Sequence, residues 1–375
     1  MALGRFPPLA QRKKSVERDA SGGGTTLIDL EALFAPPEPE ELAAAWSSLP
    51  EQHRAEGFSL LGDVVQGDGV AAQFLQHRSD GLNIYGALYR PEDLGHGPFP
   101  LLLANHGGFA GLGPLRAPQS GPAANNSTGS AGDRRPFPTW CWELARAGYV
   151  VLASCYRGGM TPVGRSDGVP DFAGSNVDDV LALLACGKTL PYVDASRIGM
   201  WGTSHGGWIS SLAAQRSPDL RAAIPYFPPA DICFAGVSGP NGSMRQWVAA
   251  VAQSPASAAV PQRRLVDQIF GPLLAGHSSL AETRRQMIVR TPHLFAERTN
   301  CPLLLVCGDQ DNLYEHTVGL DVALAGAGKE HEFRMFPGEG HGFTYRGSPG
   351  AIDQSWAMTL DFFGRRLRAG VSDGA

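Results

Sequence analysis

Arg197-Ile198-Gly199-Met200-Trp201-Gly202-Thr203-Ser204-His205-Gly206-Gly207-Trp208 decides how this chain is read. The run ending at Trp201 has the composition of a strand, Gly202–Gly207 reads as a tight turn, and Trp208–Gln215 reads as a helix. A serine at a strand-to-helix turn needs glycine on both flanks, because side chains there would collide with the strained backbone that lifts its hydroxyl above a sheet. With 47 glycines in 375 residues, G-x-S-x-G arises by chance about 0.4 times in such a chain, so the pattern alone decides little. Its place between strand and helix makes Ser204 the candidate nucleophile, and Gly207 lets the helix pack closely on the strand.

Outward from this turn the sequence alternates strands and helices. Gly81–Pro91, Phe99–Asn105, Tyr149–Cys155, Arg221–Tyr226, Pro302–Val306 and Glu332–Phe336 read as strands. Thr139–Ala147, Asn176–Thr189, Glu315–Ala325 and Ser355–Leu367 read as helices, the second with apolar residues at 177, 180, 181, 183 and 184. Such alternation predicts an α/β fold, a mostly parallel central sheet with helices on both faces, in which ligands bind at the carboxyl ends of the strands. Residues 1–56 are expected to be an arm or linker with a short helix at Glu40–Ser48. Residues 57–368 form the main body, about 230–300 a helical cap insertion, and 369–375 a flexible tail. Gly111–Pro138, rich in Gly, Pro, Ser and Asn, is expected to be a long loop.

Composition narrows the function. A net charge of −5 gives no basic field for nucleic acid or anionic lipid. Hydrophobic content of 43% against 18% charged describes a chain able to bury a large core. No run approaches the roughly 18 apolar residues of a membrane span, and the start lacks the apolar core of a secretory signal, so a cytoplasmic location is expected. The six cysteines contain no C-x-x-C pair and read as buried reduced thiols. Without H-E-x-x-H or clustered Cys and His, no metal and no organic cofactor is expected. The arm is a candidate for oligomer contacts.

A serine hydroxyl becomes a useful nucleophile only when a base takes its proton and an acid holds that base. His341, between Gly340 and Gly342 after the strand ending at Phe336, is the candidate base. Asp309 and Asp311, after the strand ending at Gly308, compete for the acid role: Asp309 adjoins the strand and suits its own turn, whereas Asp311 stands further out. The tetrahedral oxyanion needs preorganised donors. The backbone N–H of His205 is the first candidate and Gly108, in His106-Gly107-Gly108, the second, with Gly107 as an alternative and the His106 imidazole as a further donor. As rival bases, His106 precedes the serine and His205 adjoins it too closely. His106, Gly107 and Arg157 are candidates for substrate contact, although Arg157 and Arg165 also suit pairing with an acid such as Asp167 or Asp171. Trp247, Ile269, Phe270, Leu273, Leu274, Met287 and Ile288 suit an acyl pocket or ordinary core.

Four motifs in order resemble the α/β-hydrolase superfamily, more narrowly its prolyl oligopeptidase-like and acetyl-xylan-esterase-like serine hydrolases. Tyr192–Gly207 looks like that group's approach to its nucleophile, Pro302–Asp311 its acid strand, Phe336–Phe343 its histidine loop and Cys155–Gly159 its Arg-Gly loop. The resemblance covers about residues 57–368 and places the acid three residues after the glycine, on Asp311. It implies a Ser204-Asp311-His341 triad acting on a small-molecule ester or acyl substrate. Oligopeptidases of the group carry a β-propeller that the residues preceding this fold are too few to build. An esterase is therefore expected over a peptidase, with thioesterase and acyltransferase sharing the same triad and a non-catalytic binding protein as the remote alternative.

Overall fold

Alternation along Phe99–Asn105, every residue of which is buried, sets the architecture. Leu101 and Leu103 join one core with Leu152, Val177, Leu181, Met200 and Ile209, while Leu102 and Ala104 join another with Trp140, Val151, Trp201 and Phe363. A strand feeding two cores must be covered on both faces.

The computed structural model describes residues 28–108, 111–116, 135–231, 233–234, 243–254 and 263–368. Residues 1–27 of the expected arm, most of the expected 111–138 loop, parts of the expected cap and the expected tail at 369–375 lie outside the described residues. The strands are β1 (Ser59–Gly67), β2 (Val70–Ser79), β3 (Leu82–Pro91), β4 (Phe99–Asn105), β5 (Val150–Ser154), β6 (Met160–Thr161), β7 (Gly164–Arg165), β8 (Val193–Thr203), β9 (Leu220–Tyr226), β10 (Leu303–Gly308) and β11 (His331–Phe336). All but the β6–β7 ribbon form one sheet of nine strands in the order β1-β2-β3-β5-β4-β8-β9-β10-β11. From β5 to β11 the neighbours run parallel, and β1, β2 and β3 are added antiparallel.

Helices α1 (Leu30–Phe34) and α2 (Pro39–Ser47) precede the sheet; α3 (Phe137–Arg146), α4 (Ser175–Gly187) and α5 (His205–Arg216) connect its central strands. Between β9 and β10 lie α6 (Met244–Gln253), α7 (Arg263–Ile269), α8 (Gly271–Leu274), α9 (Leu280–Ile288) and a 3-10 turn, Pro292–Arg298. Helices α10 (Tyr314–Gly326), α11 (Phe343–Arg346) and α12 (Pro349–Leu367) complete the chain. No helix among the described residues is long and apolar enough to cross a membrane.

From β4 the chain steps outward through α3 to β5, then crosses back through α4 to β8 on the other side of β4. Right-handed crossovers in opposite directions put α3 and α4 on opposite faces. Accordingly Trp140 of α3 packs edge-on against Trp356 of α12 at 5.1 Å, whereas Val177 and Leu181 of α4 share the other core with Ile209 and Leu212 of α5. The reversal makes the carboxyl ends of β4 and β8 the switch point, where sheets of this kind bind ligands.

The strands and helices expected from the sequence lie where it predicts them to within about four residues, except that the last helix begins at Pro349, six residues before the expected Ser355. The antiparallel pair β1–β2 was not predicted. β1 is an edge strand with little apolar alternation, and β2 breaks its pattern with Gln73, Gln76, His77 and Arg78, of which His77 is nevertheless fully buried. All six cysteines are buried and none is in a disulfide.

The residues before the sheet lie along the helices between β9 and β10. Leu33 is fully buried, Phe34 stacks on Phe270 with ring centroids 5.8 Å apart, and Trp46 meets Phe295 at 5.0 Å beneath the Arg298 guanidinium. Arg284 of α9 is the polar centre of this contact. It forks onto both oxygens of Glu41 at 2.7 and 2.6 Å and donates to the carbonyls of Ala32, Leu33 and Ala35 at 2.7–3.0 Å, where α1 ends. A cation there meets the orphan carbonyls and negative end of the helix as well as a carboxylate. Removing it leaves buried carbonyls unpaired. Arg284→Ala is therefore expected to lower the melting temperature and to speed proteolytic cleavage within residues 28–56 by about tenfold or more, read by limited proteolysis with mass spectrometry.

Candidate active site

Ser204 sits between β8 and α5 with φ 54° and ψ −118°, a left-handed conformation that an L-residue holds only under constraint. The constraint comes from three backbones. The Ser204 N–H donates to Tyr226 O at 2.9 Å, and its carbonyl accepts from Trp208 N at 2.9 Å. A Cβ on Gly206 would lie 1.9 Å from Asn105 O, and one on Gly202 would lie 2.2 Å from Gly206 O. The flanking glycines are thus required by the approach of α5 to β4 and β8. Gly206→Ala is expected to displace the turn and strongly destabilise the protein, seen as loss of soluble protein or a melting point many degrees lower.

The carboxyl ends of β10 and β11 bring in two more groups. His341 Nδ1 lies 3.0 Å from both Asp311 oxygens, and Ser204 Oγ lies 2.9 Å from His341 Nε2. Since a carboxylate only accepts, Nδ1 carries the proton and Nε2 presents its lone pair to the serine hydroxyl. The Asp311 side chain is wholly buried and its Oδ1 also accepts from Leu313 N at 2.7 Å; the His341 ring is 36% exposed. Asp309 Oδ1 accepts from Gly338 N at 2.7 Å, pinning the start of the histidine loop, so of the two acids Asp311 is the one on the imidazole. Phe227, itself at φ 39°, stands edge-on to His341 at 4.9 Å.

After β4, Gly107 lies against the turn: a Cβ there would come 3.2 Å from Thr203 O and 3.4 Å from Ser204 Cβ. The His106 imidazole faces inward, stacked on Tyr156 at 4.3 Å, with Nδ1 donating to Gly107 O at 3.0 Å. A trans peptide points its carbonyl and the following N–H in opposite directions, so this bond aims Gly108 N–H away from the ring. The His205 ring is also buried; Nδ1–H donates to Gly108 O at 3.1 Å and Nε2 accepts from Ala173 N at 3.2 Å.

Two of the residues expected to contact substrate make other contacts in the structure. His106 is only 4% exposed, with Nδ1 bonded to the Gly107 carbonyl and the ring stacked on Tyr156. Arg157 donates to the fully buried Asp179 through Nε and Nη2, at 3.0 and 2.7 Å, and to Asp80 at 2.9 Å. It ties the strand β5 exit to α4 and the β2–β3 turn, with neither Asp167 nor Asp171 as partner; Asp171 pairs with Arg290. Of the acyl-pocket candidates, Phe270 is covered by Phe34 and Ile288 packs with Ala45 and Phe295, both against the N-terminal segment. Sequence reasoning missed Phe227, Tyr156 and Ala173, all non-glycine residues at positive φ and all touching the site. No local pattern marks Phe227 or Ala173, and the Cys155–Gly159 motif does not mark the conformation of Tyr156, because these conformations answer to neighbours distant in sequence.

Burial lowers the pKa of His77, His106 and His205 to about 4. Once unfolded, each ring titrates near 6.5, so between pH 6.5 and 4 the unfolded chain binds protons that the folded one refuses. Their contribution to stability is complete above pH 6.5, is lost as pH falls toward 4, and is flat below. Denaturant titrations from pH 7 to 4 should show this decline, and His77→Leu should reduce proton uptake on unfolding by about one proton in that window.

A doubly covered sheet with a serine, a histidine and an acid on its carboxyl edge is the arrangement of an α/β-hydrolase. Residues 80–293 match the sequence model of the X-Pro dipeptidyl-peptidase (S15) family, and the chain belongs to that family. Residues 287–367 match the dienelactone hydrolase family. The Bacillus subtilis protein named uncharacterized peptidase YuxL is 26% identical over 282 residues, 72% of this chain and 35% of that protein. Human dipeptidyl peptidase 8 is 30% identical over 149 residues, 38% of this chain and 15% of that protein. The chain thus spans about a third or less of these curated relatives. Among solved structures, Pyrococcus horikoshii acylaminoacyl peptidase superposes with a TM-score of 0.56 at 18% identity, over 89% of this chain and 44% of that one. Acetyl xylan esterase 1 from Thermoanaerobacterium sp. superposes with a TM-score of 0.54 at 18% identity, over 89% of this chain and 97% of that one.

Proposed function

We propose that the protein hydrolyses carboxylic esters through an acyl-enzyme on Ser204. The observation that carries this reading is the continuous hydrogen-bonded series from Ser204 Oγ through the His341 ring to Asp311. Ser204 Oγ attacks the acyl carbon as its proton passes to His341 Nε2, and buried Asp311 holds the ring and stabilises the imidazolium. Backbone N–H groups of His205 and Gly108 receive the oxyanion, the former at the positive end of α5. As the tetrahedral adduct collapses, His341 returns the proton to the departing alkoxide. Water, activated by the same ring, then releases the acid and restores the serine.

The substrate is read as an ester on chemical grounds: an alcohol leaves more readily than an amine, so this machinery is sufficient for esters without further leaving-group assistance. The peptidase names of the family and of YuxL favour a second reading, cleavage of a peptide bond through the same acyl-serine. Matched ester, amide and thioester substrates separate the readings by their relative kcat/KM. Ser204→Ala is expected to abolish hydrolysis of a short-chain aryl ester, a loss of about 10³-fold or more, with the thermal melt nearly unchanged. Retained turnover, or failure of Ser204 to take up a fluorophosphonate label, would overturn the assignment.

A further inference from the structure

The histidine loop is weakly determined by its own sequence. Gly338 and Gly342 bracket it at φ 77° and 79°, and the helix that follows, α11, has four residues. Two side chains of α11 reach back to the body of the protein. Phe343 packs on Phe336 at 4.6 Å and on Phe227 at 5.8 Å, an apolar contact that tolerates sliding. Tyr345 supplies a directional one: its hydroxyl is hydrogen-bonded to Thr203 Oγ1, across 142 residues of sequence. Thr203 immediately precedes Ser204 and is fully buried at the end of β8. It also carries the glycine loop, since a Cβ on Gly107 would come 3.2 Å from Thr203 O and 3.5 Å from Thr203 Oγ1.

We infer that Tyr345 and Thr203 are a positioning pair: their hydroxyl–hydroxyl bond registers the histidine loop against the nucleophile turn and so sets the Ser204–His341 approach. The inference rests on the serine-hydrolase reading of the site and assigns neither residue contact with substrate. Apolar packing leaves a loop free to slide by fractions of an ångström, whereas a hydrogen bond fixes direction as well as distance. Proton transfer from Ser204 to His341 is sensitive to displacement on that scale. The first x of the G-x-S-x-G turn thereby acquires a role through its side chain, although the turn itself places no demand on it.

The test uses the full chain and a short-chain aryl ester, with four variants: Tyr345→Phe, Thr203→Val, the double variant and Thr203→Ser. Both hydroxyl deletions are expected to lower kcat about tenfold with KM within about twofold, and to slow fluorophosphonate labelling of Ser204 in proportion. The double variant is expected to fall no further than the weaker single one, because both remove one bond. Thr203→Ser, which keeps the hydroxyl, is expected to stay within about twofold of the unaltered protein. Multiplicative losses, deletions without effect on kcat, or a rise in KM at constant kcat would each overturn the inference. If Tyr345→Phe does not fold, the comparison of Thr203→Val with Thr203→Ser makes the same decision. Turnover that depends on Ser204 but is indifferent to the two hydroxyls overturns the pairing alone; turnover independent of Ser204 overturns the serine-hydrolase reading beneath it.

Discussion

Asn105 O occupies the space that any side chain at position 206 would need, and the site depends on that proximity. It exists because β4 and β8 are neighbours at the point where the strand order reverses, with α5 starting directly above them. Ser204 is consequently lifted out of the sheet in a conformation it would not choose, held by Tyr226 O below and by the first turn of α5 above. Gly107 can then approach Thr203 and Ser204 from the β4 side. The same crowding that costs backbone strain brings the backbone of the glycine loop against the nucleophile turn.

Three imidazoles surround this turn, and their surroundings separate their uses. His106 and His205 are buried and held neutral, each donating from Nδ1 to a carbonyl of the glycine loop, Gly107 and Gly108 respectively. They act as neutral struts, and a proton added to either would meet a low-dielectric interior. His341 is the one with a partly exposed ring and a buried carboxylate on its far nitrogen. Desolvation thus makes scaffolding of two histidines, whereas the third keeps a partly exposed ring beside Ser204.

Away from the site, buried ion pairs join segments that apolar packing alone would leave free to rotate. Arg157 links the β5 exit to Asp179 on α4. Arg290 joins Asp171 and Phe172 O to the Trp208 indole, which donates to its carbonyl, so the helix that follows the nucleophile is tied to the chain just after α9. Arg284 secures the segment before the sheet to that helix. Each guanidinium spends its fork on two or more partners, which is why arginine, and not lysine, occupies these positions.

The strand–turn–helix at 197–215, the two-sided burial of Phe99–Asn105 and the succession of elements were legible in the sequence because they are local: apolar periodicity and glycine spacing report what a segment does with its own backbone. So were Ser204 and His341, and Asp311 once its motif was compared with its kind. The edge pair β1–β2, the reach of Arg157 to Asp179, the inward turn of His106 and the packing of Phe270 beneath Phe34 were not, since each depends on a partner far along the chain that no local pattern names. The order of groups at the site was written in the sequence. Their distances, the burial that separates one histidine from another, and the meeting of Thr203 with Tyr345 were decided only when the sheet brought the carboxyl ends of β4, β8, β10 and β11 to one edge, because energies of desolvation and hydrogen bonding belong to neighbours in space.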